Sequence, residues 1–328
     1  MILVGDIGGT NARFARVVDG AVCEVRTLRV ADHASAADAL ALYLRQIGWR
    51  RPLARMTLAI AGSVEGDRVR LTNGDWEFSV AQLAQALAVG SIQLLNDFEA
   101  LAWAAPHLRA ADLLHLGGGS IDARLPLAII GPGTGLGVAG CIPDARGGWI
   151  PLPTEGGHVT LAPADDFESD ILRLVRTEYP HVSAERLISG IGLPRLHAAI
   201  ATLRGASVEA LTPAEITTRA LARADVVCEA TLDSFCAMLG TVAGNLALTL
   251  GARGGVFLAG GIAQHLRDVL PDSRFRQRFE AKGRFASYLA PIATVLITAE
   301  HAALVGCAAA AAAAARTSSP NEVTARSD

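Results

Sequence analysis

The strongest constraint on the fold of this chain is a device that occurs twice. The apolar stretch Leu3-Val4-Gly5-Asp6-Ile7 runs into the turn Gly8-Gly9-Thr10-Asn11, and Leu127-Ala128-Ile129-Ile130 runs into Gly131-Pro132-Gly133-Thr134-Gly135. Each glycine turn carries a threonine and leads into a second apolar stretch, residues 12–18 in the first case and 136–142 in the second. With residues 22–30 as a third strand, the chain opens on an antiparallel meander, which a doubly wound parallel sheet does not. Next come a helix over 35–47 capped by Ser35, a buried strand over 55–61, a helix over 79–88, a strand over 92–95 and a helix over 98–105. The pattern restarts at 127, and a further apolar strand at 255–258 runs into Ala259-Gly260-Gly261-Ile262. A helix is predicted over 166–178 and a long helical stretch over 213–250. An alanine-rich helix over 300–316 has side chains small enough for close packing, and a polar tail over 317–328 is expected to be disordered. Two related α/β halves account for this order with the fewest assumptions.

Composition narrows the chemistry. Of 328 residues, 51% are hydrophobic and 19% charged, the balance of a folded globular chain. A net charge of −3 offers no basic field to nucleic acid or to an anionic membrane surface. Lys282 is the sole lysine and lies in Glu280-Ala281-Lys282-Gly283-Arg284, which excludes both a Walker P-loop and the lysine-bearing strand of protein kinases. Cys23, Cys141, Cys228, Cys236 and Cys307 are scattered without a Cys-x-x-Cys pair. Neither a disulfide framework nor a structural zinc is therefore expected, and a reducing, cytoplasmic setting is. No basic segment with an apolar core follows Met1. The longest uncharged apolar run, 302–315, falls short of the roughly 20 residues that span a bilayer.

Several segments carry candidate chemistry. Glycine turns bring backbone N–H groups against a phosphate chain without obstruction, and Thr10 and Thr134 add hydroxyl donors. Asp6, on the strand before the first turn, is placed to face a phosphate-bound Mg2+ through water. Either turn alone is more simply a strand connection; the pairing argues for binding. Gly135-Leu136-Gly137-Val138-Ala139-Gly140 spells G-x-G-x-x-G, but strand and turn residues follow where a helix is required, so dinucleotide binding is not expected.

In Leu94-Leu95-Asn96-Asp97-Phe98-Glu99, Asp97 lies where a strand meets a helix. A carboxylate there either accepts the proton of a hydroxyl attacking a phosphoryl group or simply caps the helix. Asn96 brings both a donor and an acceptor. In Glu155-Gly156-Gly157-His158, two glycines let a carboxylate and an imidazole converge on one small hydroxylated ligand; a plain polar loop is the alternative, and a metal site lacks a third ligand at a recognisable spacing. Ser183-Ala184-Glu185-Arg186 reads as an N-cap followed by an early helical glutamate.

Taken in chain order, Gly5-Asp6-Ile7-Gly8-Gly9-Thr10-Asn11-Ala12-Arg13, Leu71-Thr72-Asn73, Asn96-Asp97-Phe98, Gly131-Pro132-Gly133-Thr134-Gly135-Leu136-Gly137, Glu155-Gly156-Gly157-His158, the run from Ser183 to Gly190, and Ala259-Gly260-Gly261-Ile262 resemble the bacterial glucokinases. These form a zinc-free, hexokinase-like branch of the actin-like sugar-kinase superfamily. The resemblance implies an α/β fold of two RNase-H-like (actin-like ATPase) domains flanking a central cleft. The small domain would comprise 1–108 plus 299–316 and the large one 109–298.

It further implies ATP-dependent phosphorylation of D-glucose at the 6-hydroxyl, with ATP and Mg2+ as cofactors and Asp97 as general base. Asn96, Glu155, His158, Glu185 and Asn73 correspond to glucose contacts. Asp6, Gly8, Gly9, Thr10 and Asn11, with Gly133, Thr134 and Gly135, correspond to the phosphate loops, and Gly260 and Gly261 to the adenosine site. A homodimer is the expected assembly. A kinase for another hexose and a non-catalytic sugar sensor share the fold. The sensor would be expected to carry an N-terminal helix-turn-helix, for which a strand starting at Ile2 leaves no room. One departure is Ser63 in Gly62-Ser63-Val64, where relatives often have proline. The cysteine-rich zinc motif of the related ROK sugar kinases is absent, with no cysteine between Cys141 and Cys228.

Overall fold

The computed structural model describes residues 1–72 and 74–317, with the side chain of residue 317 excepted; Asn73 and the tail from 318 onward, two expectations of the sequence, lie outside the described residues. The chain divides into two compact units. One is built from Met1–His107 together with the C-terminal stretch beginning at His301, the other from Leu108–Glu300.

The first unit opens with the expected meander of β1 (Ile2–Ile7), β2 (Asn11–Val18) and β3 (Ala21–Arg29). Helix α1 (Ala36–Gln46) follows, its N-cap Ser35 accepting a hydrogen bond from the Asp38 N–H. Next is β4 (Arg55–Ile60). A small antiparallel sheet of β5 (Gly62–Glu65), β6 (Arg68–Leu71) and β7 (Glu77–Ser79) then interrupts the pattern, followed by α2 (Val80–Ala86), β8 (Ile92–Asn96) and α3 (Asp97–Ala104). The main sheet has the order β3-β2-β1-β4-β8, with β1 antiparallel to β2 and parallel to β4, and β4 parallel to β8.

Both faces of that sheet are covered, which is why β1 and β4 read as nearly continuous apolar runs. Leu3, Ile7, Phe14, Met56 and Leu58 pack with Leu40 and Tyr43 of α1. Val4, Ala15, Ala59 and Leu95 pack on the other face with Leu304, Cys307 and Ala308. Those last three belong to the C-terminal helix, Ala302–Thr317, which extends to the residue where the polar tail was expected to begin. Its small side chains serve the close approach that the sequence predicts. A Cβ at Gly306 would overlap the Ala100 carbonyl of α3, the Cys307 thiol lies 3.5 Å from the Gly5 carbonyl, and Arg55 donates to the Ala311 carbonyl at 3.1 Å.

The second unit contains β9 (Leu113–Gly117), β10 (Leu127–Pro132), β11 (Leu136–Pro143), β12 (Trp149–Thr154), β13 (Gly255–Leu258) and β14 (Thr294–Ile297) in the order β12-β11-β10-β13-β14-β9. Without the added edge strand β9, order and strand directions repeat those of the first unit. This is the RNase-H-like arrangement, present twice. Between β12 and β13 lie α4 (Asp166–Val175), α5 (Ala184–Leu187), α6 (Leu193–Leu203), α7 (Pro213–Leu221) and α8 (Val226–Leu250); α9 (Gly261–His265) and α10 (Phe275–Glu280) follow.

The long helical stretch expected over 213–250 consists of two helices. Arg223 adopts a left-handed φ of 52°, and Asp225 starts α8 as N-cap, accepting from the N–H groups of Val227 at 2.8 Å and Cys228 at 3.0 Å. Helix α8 is long and apolar enough to cross a bilayer, yet 72% of its most apolar window is buried within the protein, so core packing accounts for that character.

Candidate active site

In the first unit, the Gly8–Asn11 turn is closed by the Gly8 N–H donating to the Asn11 carbonyl at 3.0 Å, and the Val30 N–H holds the Thr10 carbonyl at 2.9 Å. The Thr10 side chain is exposed. Asp6 occupies the next-to-last position of β1, directly opposite Arg13 on β2, and the hairpin register produces an ion pair of 3.0 Å. Burial pushes the Asp6 carboxyl above its ordinary value of 3.8, while Arg13 and His301 oppose the shift. Arg13 engages one carboxylate oxygen, Oδ2. This arrangement fits contact with Mg2+ through water, the mode this ion favours because it gives up its waters reluctantly.

At the end of β8, Asn96 and Asp97 meet the first turn of α3. The cap of α3 is Asn96, whose Oδ1 accepts from the Phe98 N–H at 2.9 Å. Asp97 is the first helical residue, and its Oδ1 accepts from the same N–H at 2.9 Å. The helix dipole favours a carboxylate in this first turn. Because Asn96 uses its carbonyl oxygen as the cap, its amide nitrogen takes no part in capping.

In the second unit, three of the expected sugar contacts converge. Glu155 precedes a single helical turn, Gly156–His158. The His158 ring stands 4.0 Å from the Glu155 carboxylate and 3.9 Å from that of Glu185. Glu185 is further anchored, its Oε2 accepting from the Leu136 N–H at 2.9 Å, where β11 begins. It follows the Ser183 cap of α5, as the sequence predicts. The glycines make this convergence sterically possible: a Cβ at Gly157 would overlap the Leu136 carbonyl, and one at Gly135 would overlap the Glu185 carboxylate. Side-chain exposure falls from 87% at Glu155 through 60% at His158 to 23% at Glu185, so Glu155 stands in solvent while Glu185 is largely enclosed.

Beside this cluster, also in the second unit, lies a cavity of about 880 Å³. Gly133 and Thr134 line one part and Gly261, Ile262 and His265 another; Ile191, Leu193 and Pro194 with Pro213, Thr217 and Leu221 complete an apolar wall. The turn 133–135 is closed by the Gly133 N–H donating to the Gly135 carbonyl at 2.9 Å, and the Gly133 carbonyl in turn accepts from the Gly190 N–H at 2.8 Å. A Cβ at Gly133 or at Gly261 would meet no protein atom within 4 Å. Nothing in the packing of the chain itself demands glycine there, which fits a ligand drawn close to backbone. Gly260 differs: its φ is 87° and a Cβ would strike the Pro132 carbonyl, so it serves the strand-to-helix turn. His265 Nδ1 lies 2.6 Å from the Gly261 carbonyl, to which it donates, and Nε2 takes no part in that contact.

Sequence reasoning found the glycine turns of this cavity but not its walls. Their signals were local: Thr212 and Glu215 form a capping box that starts α7 at Pro213, and Gly192 precedes α6.

Comparison with known proteins follows the same lines. The family model for glucokinase matches residues 3–314. The chain is 48% identical over 308 residues to a glucokinase of Chromobacterium violaceum, covering 94% of this chain and 88% of that one. Among solved structures, a glucokinase from an Antarctic psychrotroph superposes with a TM-score of 0.86 at 38% identity, covering 94% of this chain and 98% of that one. A more distant ROK-family glucokinase from Streptomyces griseus, solved with glucose and AMPPNP, shares the fold with a TM-score of 0.60 at 18% identity over 94% and 97% of the two chains. By its strand order, its motifs and the breadth of these matches, the chain belongs to the glucokinase family.

Proposed function

We propose that this chain transfers the γ-phosphoryl group of ATP to the 6-hydroxyl of D-glucose. The observation that carries the reading is the convergence of Glu155, His158 and Glu185 in the unit that also holds the cavity containing the Gly133–Thr134 turn. Carboxylates and an imidazole match a hexose because its vicinal hydroxyls both donate and accept. In this reading Glu185, held by the Leu136 N–H, fixes the orientation of the sugar, and the exposed Glu155 folds onto it. Asn96 donates its amide to the same ligand, and Asp97 takes the proton of the attacking hydroxyl.

The cavity suits the adenosine part of ATP: apolar side chains face the base, and His265 Nε2 and Thr218 are polar groups of the kind a ribose needs. The Gly8–Asn11 and Gly133–Gly135 turns, apart from the Gly8 and Gly133 N–H groups that close them, face the phosphates with Thr10 and Thr134. Mg2+, with Asp6 as its water-mediated holder, supplies neutralisation of phosphate charge when bound. Phosphoryl transfer asks mainly for positioning and charge stabilisation, so near-absence of lysine is no obstacle. The cytoplasm, where ATP and reduced thiols occur together, fits five cysteines that are all unpaired.

The test is a coupled assay across glucose, mannose, fructose and amino sugars with ATP, ADP and polyphosphate as donors. Preference for glucose with ATP supports the reading. Turnover of none of these sugars would overturn it and would leave the sensor alternative.

A further inference from the structure

The second unit contains a side-chain cluster that the reading above does not use. His197 projects from α6, while Asp225 and Cys228 are the N-cap and first-turn residues of α8; one ligand atom from each lies within 4.8 Å of the other two. His197 is 3% exposed, and its Nδ1 is buried with no hydrogen-bond partner among the described residues. An unpaired buried imidazole nitrogen is a cost that proteins rarely leave uncompensated. Cys228 is fully buried. The Asp225 side chain retains 24% exposure, which gives an ion a way in. Its Oδ1 caps α8, its Oδ2 faces the Arg219 guanidinium at 3.7 Å, and the carboxylate is hydrogen-bonded to the Cys228 thiol, so two of the three candidate ligands already touch.

We propose that His197, Asp225 and Cys228 bind a zinc-type divalent transition ion, with water as the fourth ligand. An imidazole, a carboxylate and a thiolate form a donor set that this class of ion accepts and that Mg2+ and Ca2+ do not. Tetrahedral ligands at about 2.0–2.3 Å from zinc sit roughly 3.3–3.8 Å apart, so side-chain adjustments of about an ångström complete the site. On binding, the Cys228 thiol releases its proton to solvent as the sulfur–metal bond forms, and the carboxylate and thiolate together balance the charge of the ion. The site ties α6 to the start of α8. Because α6 and α7 wall the large cavity and Arg219 of α7 faces Asp225, metal loading fixes the spacing of those walls. Cysteine spacing along the chain gave no hint of this site, because its third ligand comes from a different helix.

The test uses the full chain, stripped with chelator, dialysed and titrated with Co2+ as a spectroscopic stand-in for zinc. We expect a thiolate-to-cobalt charge-transfer band in the near ultraviolet with visible d–d bands of four-coordinate intensity, both displaced by Zn2+. Cys23→Ser, which removes the only cysteine that is not buried, is expected to keep the band. Cys228→Ser is expected to lose it, and His197→Asn to weaken affinity at least tenfold. Zinc is expected to raise the Tm of the wild-type chain and not that of Cys228→Ser. Absence of the band from the wild-type chain at excess Co2+, or its persistence in Cys228→Ser, overturns the proposal. Should Cys228→Ser fail to fold, unchanged affinity in His197→Asn overturns it equally. None of these readouts depends on sugar phosphorylation.

Discussion

The two units use one five-strand plan for different purposes. In the first, the hairpin that follows β1 pairs Asp6 with Arg13; at the matching place in the second, Gly131 pairs with Gly137. One scaffold thus carries a charged pair beneath its glycine turn and the other carries bare backbone. Their insertions differ as well. The first unit interposes a small three-stranded sheet between β4 and β8, whereas the second interposes five helices between β12 and β13 and forms a cavity among them. A repeated strand order specifies where a turn projects; the side chains and insertions decide what the turn does there.

In the proposed reading proton removal falls to Asp97 of the first unit, and the largest effect expected follows from that. Asp97→Asn should lower kcat by about 10²–10⁴-fold while the KM for glucose changes by less than about tenfold, measured in a coupled assay. Full activity in this variant would break the division of labour. Next in size, Glu185→Ala removes both the acceptor of the Leu136 N–H and a neighbour of His158. It should raise the KM for glucose by roughly 10–100-fold, and Glu155→Ala by less, because Glu155 is the more exposed of the two. Equal effects would show that the anchor is unimportant.

A third pair of variants separates ligand-facing from structural glycines. Gly260→Ala should lose about 1–3 kcal/mol in urea unfolding through its positive φ and the Pro132 carbonyl. Gly133→Ala should keep the wild-type Tm and weaken ATP instead, as judged by KM. Loss of stability in both would place the two glycines in one class.

The smallest effect is one of pH. Burial raises the Asp6 carboxyl above 3.8, so the unfolded chain ionises first, and the wild type loses stability as pH rises from near 3.8 through the higher folded value. Asp6→Asn has no such group, and its stability relative to wild type should therefore improve between about pH 4 and neutrality; urea midpoints at both ends test the sign. The opposite trend would mean that the Arg13 pair outweighs burial.

Much of this was legible in sequence because it depends on local pattern. The apolar strands, the glycine turns, the Ser35 and Ser183 caps and the close-packed alanine-rich helix all follow from spacing within a few residues. The sheet of β5–β7 was not, because Arg68, Arg70 and Glu77 make those strands read as a polar loop. The break before α8 was signalled by Asp225 standing before Val226, but the apolar character of both flanking segments obscured it. The Glu185–Leu136 hydrogen bond and the walls of the cavity join segments far apart in the chain, and no local rule specifies such meetings.

The C-terminal helix has a consequence for the life of the polypeptide. The Cys307 thiol sits under the Gly5 carbonyl, with 302 positions of chain separating the two. A ribosome therefore releases every residue of the second unit before it delivers the helix that seats α3, the segment that begins with Asp97. The half bearing the proposed base is the last to be completed, and a prematurely terminated product would have the cluster proposed to hold sugar but no firmly seated base.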